Sequence, residues 1–315
     1  MSDQFPGPKT KRALERGIPL FRNGLRFDKE LEKAGRRGFR SANQIVIDRV
    51  AGDFIWDLDG RRYIDFQNGW ATNPIGNAHP EIVEAVDAAH RRYGFHYDHP
   101  LRYDLAEMLA EIMPDKALPR FNYEVSGTEA AEAAVHLALT HTQRRFVITF
   151  SGAYHGMGLG TKMLDGFDSK TGRYMEAWTG GVIKAPYPYS DQSPAAMSQE
   201  QYVDYCLWYL DNHIPNCIAA RDNIAAILIE PGLAEGGNWI PPTNFLQGIR
   251  EICDKNGWLM IADEVLTGMG RTGKMWAVEH YDVCLLYTSP SPRDWIWHLV
   301  CRLLLEKRGG GGGGG

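Results

Sequence analysis

The sequence has no apolar run long enough to cross a bilayer as a helix, which argues against a membrane-spanning protein. Residues 1–11 are polar and include Pro6, Gly7 and Pro8. They lack the apolar core of a secretory signal, and the expected location is cytoplasmic. Cysteine is scarce. The five residues Cys206, Cys217, Cys253, Cys284 and Cys301 form no Cys-x-x-Cys pair, so neither a zinc site nor a disulfide framework is indicated. A reducing compartment fits, and no metal is expected. Basic charge is also short: the net charge is −5, and Lys11-Arg12 and Arg36-Arg37 stand as isolated, solvated pairs. With no basic stripe, nucleic acid is not the expected partner. No internal repeat is visible.

What is present is enough for a sizeable core: 315 residues, 44% of them hydrophobic. Residues 44–50, 54–58 and 61–66 alternate as strands, with Asp59-Gly60 as the turn of a hairpin, so a small antiparallel unit is expected near the start. Helices are expected from His79-Pro80 through residues 81–86, and over 103–113 up to Pro114. From Tyr123 onward short apolar runs at 145–150, 224–229 and 258–262 read as strands buried on both faces of a parallel sheet. Helices lie between them, one at 244–256 stopped by Gly257. The fold class is therefore α/β, a mostly parallel sheet flanked by helices.

The text changes after Val283. Residues 284–294 resemble the translation of a transposase-type sequencing adapter, 298–305 its far end, and a glycine run closes the chain at 309–315. No helix or strand period fits this stretch. The expected division is an N-terminal segment at 1–75, a large domain at 76–283 and a non-native tail at 284–315.

Four segments carry chemistry. Ser126-Gly127-Thr128-Glu129-Ala130 opens an alanine-rich helix. Ser126 with Glu129 fits a capping box, and the free N–H groups of a helix start suit a phosphate, although a plain cap reads equally well from these residues alone. Gly152-Ala153-Tyr154-His155-Gly156 follows a strand and places an aromatic ring where it could stack on a flat ligand. The adjoining Gly156-Met157-Gly158-Leu159-Gly160 has the wrong spacing for a dinucleotide loop and reads as a turn. Ile229-Glu230-Pro231 and Ala262-Asp263-Glu264-Val265 each set a carboxylate at a strand's C-terminal end, the edge where open α/β sheets bind ligands. A buried Asp there needs a cationic or strong donor partner.

In this order the four segments resemble the class III (ω-type) aminotransferases, which use pyridoxal 5'-phosphate (PLP) on the aspartate-aminotransferase-like fold, fold type I. Trp56-Asp57-Leu58-Asp59-Gly60, Ile75-Gly76-Asn77-Ala78-His79-Pro80 and Thr267-Gly268-Met269-Gly270-Arg271-Thr272-Gly273 add to the likeness, which runs over 6–283. The resemblance implies PLP as cofactor, with its phosphate on Ser126, Gly127 and Thr128. Tyr154 and Val265 would lie on the two ring faces, and Asp263 at the pyridine nitrogen. Catalytic roles fall to Asp263 and Tyr154, with Glu230 and His155 around them.

The resemblance also exposes departures. The Schiff-base lysine should follow Asp263 by a few tens of residues, inside the adapter-like stretch. Lys274 matches a non-catalytic position, so no catalytic lysine is assigned. Met157 stands where many carboxylate-using members carry Arg, which weakens carboxylate recognition. Leu266 replaces a Gln found near the cofactor hydroxyl in some members. Glu235 matches a residue that pairs with a C-terminal arginine, and Trp70 joins Glu235 and Met157 as a substrate candidate. The expected parent is a homodimer moving an amino group from an ω-amine or ω-amino acid to a 2-oxo acid. A glutamate-semialdehyde-type aminomutase remains open, as does an inactive fragment or weak PLP binder for the chain as written.

Overall fold

The computed structural model describes residues 5–17, 45–93, 98–114, 120–166, 180–189, 193, 197–283, 286–289 and 298–301. The chain forms two compact units, 1–97 and 98–315, so the first takes in more than the segment 1–75.

The first unit contains helix α1 (Pro8–Gly17) and a three-stranded antiparallel sheet, β1 (Ile47–Ala51), β2 (Phe54–Asp57) and β3 (Arg62–Ile64). The hairpin forms where expected, and its cause is a buried carboxylate. Asp57 Oδ1 accepts the Asp59 and Arg61 amides at 3.0 and 2.8 Å, and Oδ2 accepts the Tyr63 hydroxyl at 2.7 Å. Asp59 in turn caps α1 from a distance in sequence, accepting the Lys9 and Thr10 amides. Helix α2 (Pro80–Tyr93) completes this unit and has no buried residue.

The second unit opens with α3 (Pro100–Ile112) and β4 (Phe121–Glu124). Then follow α4 (Gly127–Thr142), β5 (Phe146–Phe150), α5 (Leu159–Leu164), β6 (Val182–Ala185), α6 (Gln199–Trp208), β7 (Ile224–Ile229), α7 (Thr243–Asn256) and β8 (Leu259–Asp263). With two further strands, β9 (Leu286–Ser289) and β10 (His298–Cys301), the sheet has the order β4-β10-β9-β8-β7-β5-β6, parallel from β9 to β6. All six residues of β7 are buried, as its unbroken apolar run requires of a central parallel strand. The sheet faces divide by the two-residue period of a strand. Ile148, Phe150, Ile227, Ile229, Met260 and Ala262 pack with Phe245, Leu246 and Ile249 of α7. Val147, Ala226, Leu228 and Ile261 face Ala130, Ala134 and Ala138 of α4.

Two stretches beyond Val283 do form strands, β9 (Leu286–Ser289) and β10 (His298–Cys301). β9 lies parallel to β8 with Thr288 opposite Asp263, and β10 pairs antiparallel with both β9 and β4. Four residues are too few to show a period, while β8 offers a backbone edge that any short extended segment can pair with. Among the described residues no helix is long and apolar enough to cross a membrane.

After β5 the chain closes a loop on itself. Gly152 donates to the Gly166 carbonyl at 3.0 Å and Gly166 to the Ala153 carbonyl at 2.7 Å. A Cβ on Gly166 would stand 1.8 Å from the Phe150 oxygen. Gly166→Ala is therefore expected to lose at least about 2 kcal/mol, read as a lower urea midpoint. Phe245, which meets Phe150 and Tyr187 edge-on in the core, sets a second test. Phe245→Ala should cost about 3–5 kcal/mol, and an unchanged midpoint would contradict this packing.

Candidate active site

β5, β7 and β8 run parallel, so their C-terminal ends share one edge of the sheet. Asp263 ends β8 and is buried. Its Oδ1 accepts the Val265 amide at 3.0 Å, and its Oδ2 lies 2.7 Å from Nδ1 of His155. His155 is also buried, in the turn after β5, and its amide donates to Asp165 Oδ1 at 2.8 Å. Its Nε2 is buried without a hydrogen-bond partner among the described residues. Burial alone would lower the His155 pKa. The bond and charge of Asp263, with the charges of Glu230 and Asp165, outweigh it and raise the pKa above its ordinary 6.5.

Glu230 directly follows β7 and clamps two loops. Oε1 accepts the Tyr154 amide at 2.8 Å and Oε2 the Ala234 amide at 3.1 Å. Burial pushes its carboxyl from 4.5 up to about 7, with the Asp263 charge acting the same way and His155 and the two amides acting against it. Its neighbour in the second strand-end pair behaves differently. Glu264 turns away from Asp263 and accepts the Ala277 and Val278 amides and the Thr267 hydroxyl, closing the segment that follows β8.

The start of α4 meets both of these edges. Ser126 Oγ accepts the Glu129 amide at 3.1 Å as the N-cap. The reciprocal arm of the box differs from expectation: Glu129 Oε2 takes the Val125 amide, one residue earlier. Two glycines allow the close approach. A Cβ on Gly127 would stand 2.9 Å from Val265 Cγ1, and one on Gly156, whose φ is +134°, would stand 2.5 Å from Thr128 Oγ1. Thr128 Oγ1 also accepts the Met157 amide. The structure thus brings Ser126, Gly127, Thr128, Tyr154, His155, Glu230, Asp263 and Val265 together through direct pairwise contacts. Their chemistry is that of an anion-ready helix start beside a buried carboxylate.

The substrate candidates are placed less tightly. Met157 is 65% exposed at the turn. Glu235 is exposed on a loop closed by the Leu233–Trp239 bridge, and its neighbour Gly236 packs on the Gly152 carbonyl. The side chain of Trp70 lies outside the described residues. Sequence reasoning missed Lys162, Asp165 and Glu132. Glu132 Oε1 accepts the Gly160 and Thr161 amides, so the glycines at 158 and 160 serve that contact. The pair Asp165-Gly166 was a readable turn signal. Among the described residues no group of three His, Cys, Asp or Glu could hold a metal ion.

Comparisons with known proteins place the chain in a family. The family model for Aminotransferase class-III matches residues 38–284. The probable 4-aminobutyrate aminotransferase of Bacillus subtilis is 34% identical over 254 residues, 78% of this chain and 57% of that protein. The alanine/serine racemase of Pyrococcus horikoshii is 30% identical over 288 residues, 88% of this chain and 57% of that protein. Among solved structures, taurine:2-oxoglutarate aminotransferase from Bifidobacterium kashiwanohense, in complex with PLP and glutamate, superposes with a TM-score of 0.74. It is 27% identical, over 82% of this chain and 59% of that one. The chain spans 57% of the length of these two curated relatives. Its α/β architecture is that of the fold type I transaminases, and the chain belongs to the class III aminotransferase family.

Proposed function

We propose that the chain is the N-terminal part of a PLP-dependent aminotransferase that moves an amino group from an ω-amine or ω-amino acid to a 2-oxo acid. The observation that carries this reading is the buried Asp263–His155 pair, set at the sheet edge beside the capped start of α4. The residues fit PLP. The first-turn amides of α4 lack intrahelical partners and suit a phosphate. Asp263 supplies the buried anion that a protonated pyridine nitrogen needs. When bound, PLP supplies an electron sink for the amino acid's bonds.

Each protein group then has a task. Ser126, Gly127 and Thr128 would hold the phosphate. Tyr154 and Val265 would hold the ring. Asp263 would keep a proton on the ring nitrogen, and His155 holds Asp263 in place through Oδ2. Glu230 fixes the Tyr154 backbone. Met157 and Glu235 would border the substrate. An apolar Met157 favours donors with little charge at that position, while Glu235 is free to meet a basic group.

Among the described residues of the second unit every lysine is already engaged. Lys162 pairs with Asp165, Lys184 donates to Thr149 and the Met163 carbonyl, Lys255 pairs with Asp211, and Lys274 donates to the Glu279 carbonyl. With no residue matching the family's Schiff-base lysine, we read the chain as written as inactive, with residues 284–315 as a non-native tail. We read the complete protein as a cytoplasmic homodimer. The wide exposure of Phe66, Ile64 and Ile75 in the first unit supports a covered surface there.

The test is to sequence the source past the codon for Val283 and assay the complete protein with PLP. Amino transfer from an ω-amine to a 2-oxo acid is expected. Product without any acceptor would favour the aminomutase, and inversion of an amino acid's stereochemistry the activity named for the Pyrococcus relative. For the 315-residue chain, borohydride should trap no PLP on a single lysine.

Glu230 sets a pH test. Its carboxyl binds a proton more tightly folded than unfolded, so its stabilisation is full below about 4.5 and lost as pH rises through about 7. The size is about 3 kcal/mol, and the raised His155 pKa acts in the same direction. In Glu230→Gln the fall in stability between about pH 5 and pH 8 should shrink by that order. Equal slopes in the two proteins would contradict the burial of this group.

A further inference from the structure

Behind the turn that carries Tyr154 and His155 lies an ion pair that the roles above leave unused. Lys162 Nζ is 2.7 Å from Asp165 Oδ2, and the two side chains are only 7% and 1% exposed. The other oxygen, Oδ1, accepts the His155 amide at 2.8 Å. The ammonium also stands 6.0 Å from the centroid of the Tyr154 ring. Taking both charges out of water is a poor way to stabilise a fold, since an apolar pair of the same size serves as well or better. What such a pair does supply is a fixed direction, here towards the two residues that meet the proposed ligand.

The rest of α5 makes that direction firm. Its first turn is held by Glu132 of α4, which accepts the Gly160 and Thr161 amides at 3.0 and 3.1 Å. Its far end closes through the Gly152–Gly166 and Gly166–Ala153 bonds. α5 is thus anchored on the helix whose start is read as the phosphate site, and its last residues grip the turn read as the ring site.

We propose that Lys162 and Asp165 are a positioning pair for PLP, an inference that rests on the reading of the site given above. Lys162 attracts the π face of Tyr154 and sets the plane of its ring. Asp165 ties that ammonium to the His155 backbone, so the stacking ring and the imidazole on Asp263 move as one body. No bond is made or broken by either residue.

The experiment uses the full 315-residue chain and its Lys162→Met, Lys162→Arg and Asp165→Asn variants. Three quantities are read: the PLP dissociation constant, the circular dichroism induced in bound PLP at saturation, and amide exchange over 153–157 without PLP. Lys162→Met should bind PLP about three- to tenfold more weakly, with a smaller induced signal per PLP bound. Lys162→Arg should restore both. Asp165→Asn should speed exchange in the turn and weaken binding as well. Wild-type affinity and signal in Lys162→Met would overturn the proposal, as would equal losses in Lys162→Met and Lys162→Arg. Faster exchange with unchanged PLP binding would make the pair a fold contact and overturn it too. A wild-type chain that takes up no PLP would instead sink the reading of the site, and this inference with it.

Discussion

The second unit is organised around a hydrogen bond that water does not reach, between Nδ1 of His155 and Oδ2 of Asp263. It joins residues 108 positions apart in sequence, one at the end of β8 and one in the turn after β5. A buried carboxylate without a partner is costly, so the turn cannot drift from the strand end without exposing that cost. β7 runs between the two strands, and Glu230 at its end holds the same turn by the amide before His155. Three strand ends are in this way pinned to one short loop.

Pinning needs room as well as bonds. The close approach of α4 to Val265 and of the turn to Thr128 depends on Gly127 and Gly156, where a methyl group would collide with neighbours. Further along the same face of that helix, Ala130, Ala134 and Ala138 let it sit low on the sheet. The helix start is brought to the carboxylates by small residues along one face rather than by any long side chain reaching across. Close packing converts small changes of volume into backbone shifts, so such a site is sensitive to single methyl groups.

Much of this was legible in the sequence because it is local. The run at 224–229 reads as a buried strand by its unbroken apolar character, and β7 has those bounds. Ser126 before an alanine-rich stretch marks a helix start, and Asp59-Gly60 marks a hairpin turn. Gly257 stops α7 in a left-handed conformation, as its place after the last apolar residue indicates. The illegible parts depend on partners far along the chain. Nothing near Lys9 announces that Asp59 will cap α1. Nothing in the sequence marks Lys162 and Asp165, since three-residue spacing does not announce burial. β9 and β10 are shorter than any period can mark, and their pairing is decided by the open edge beside them.

Asp263 and Glu264 are adjacent but answer to different masters. One carboxylate meets His155 and the Val265 amide, while the other spans the ends of the segment from Thr267 to Val278. That second carboxylate insulates the strand end from whatever the intervening residues do. Closing a somewhat longer loop costs little extra entropy once its ends are fixed. The stretch between them is therefore a place where this scaffold can accept insertions, and diversify at its rim, while Asp263 stays where it is.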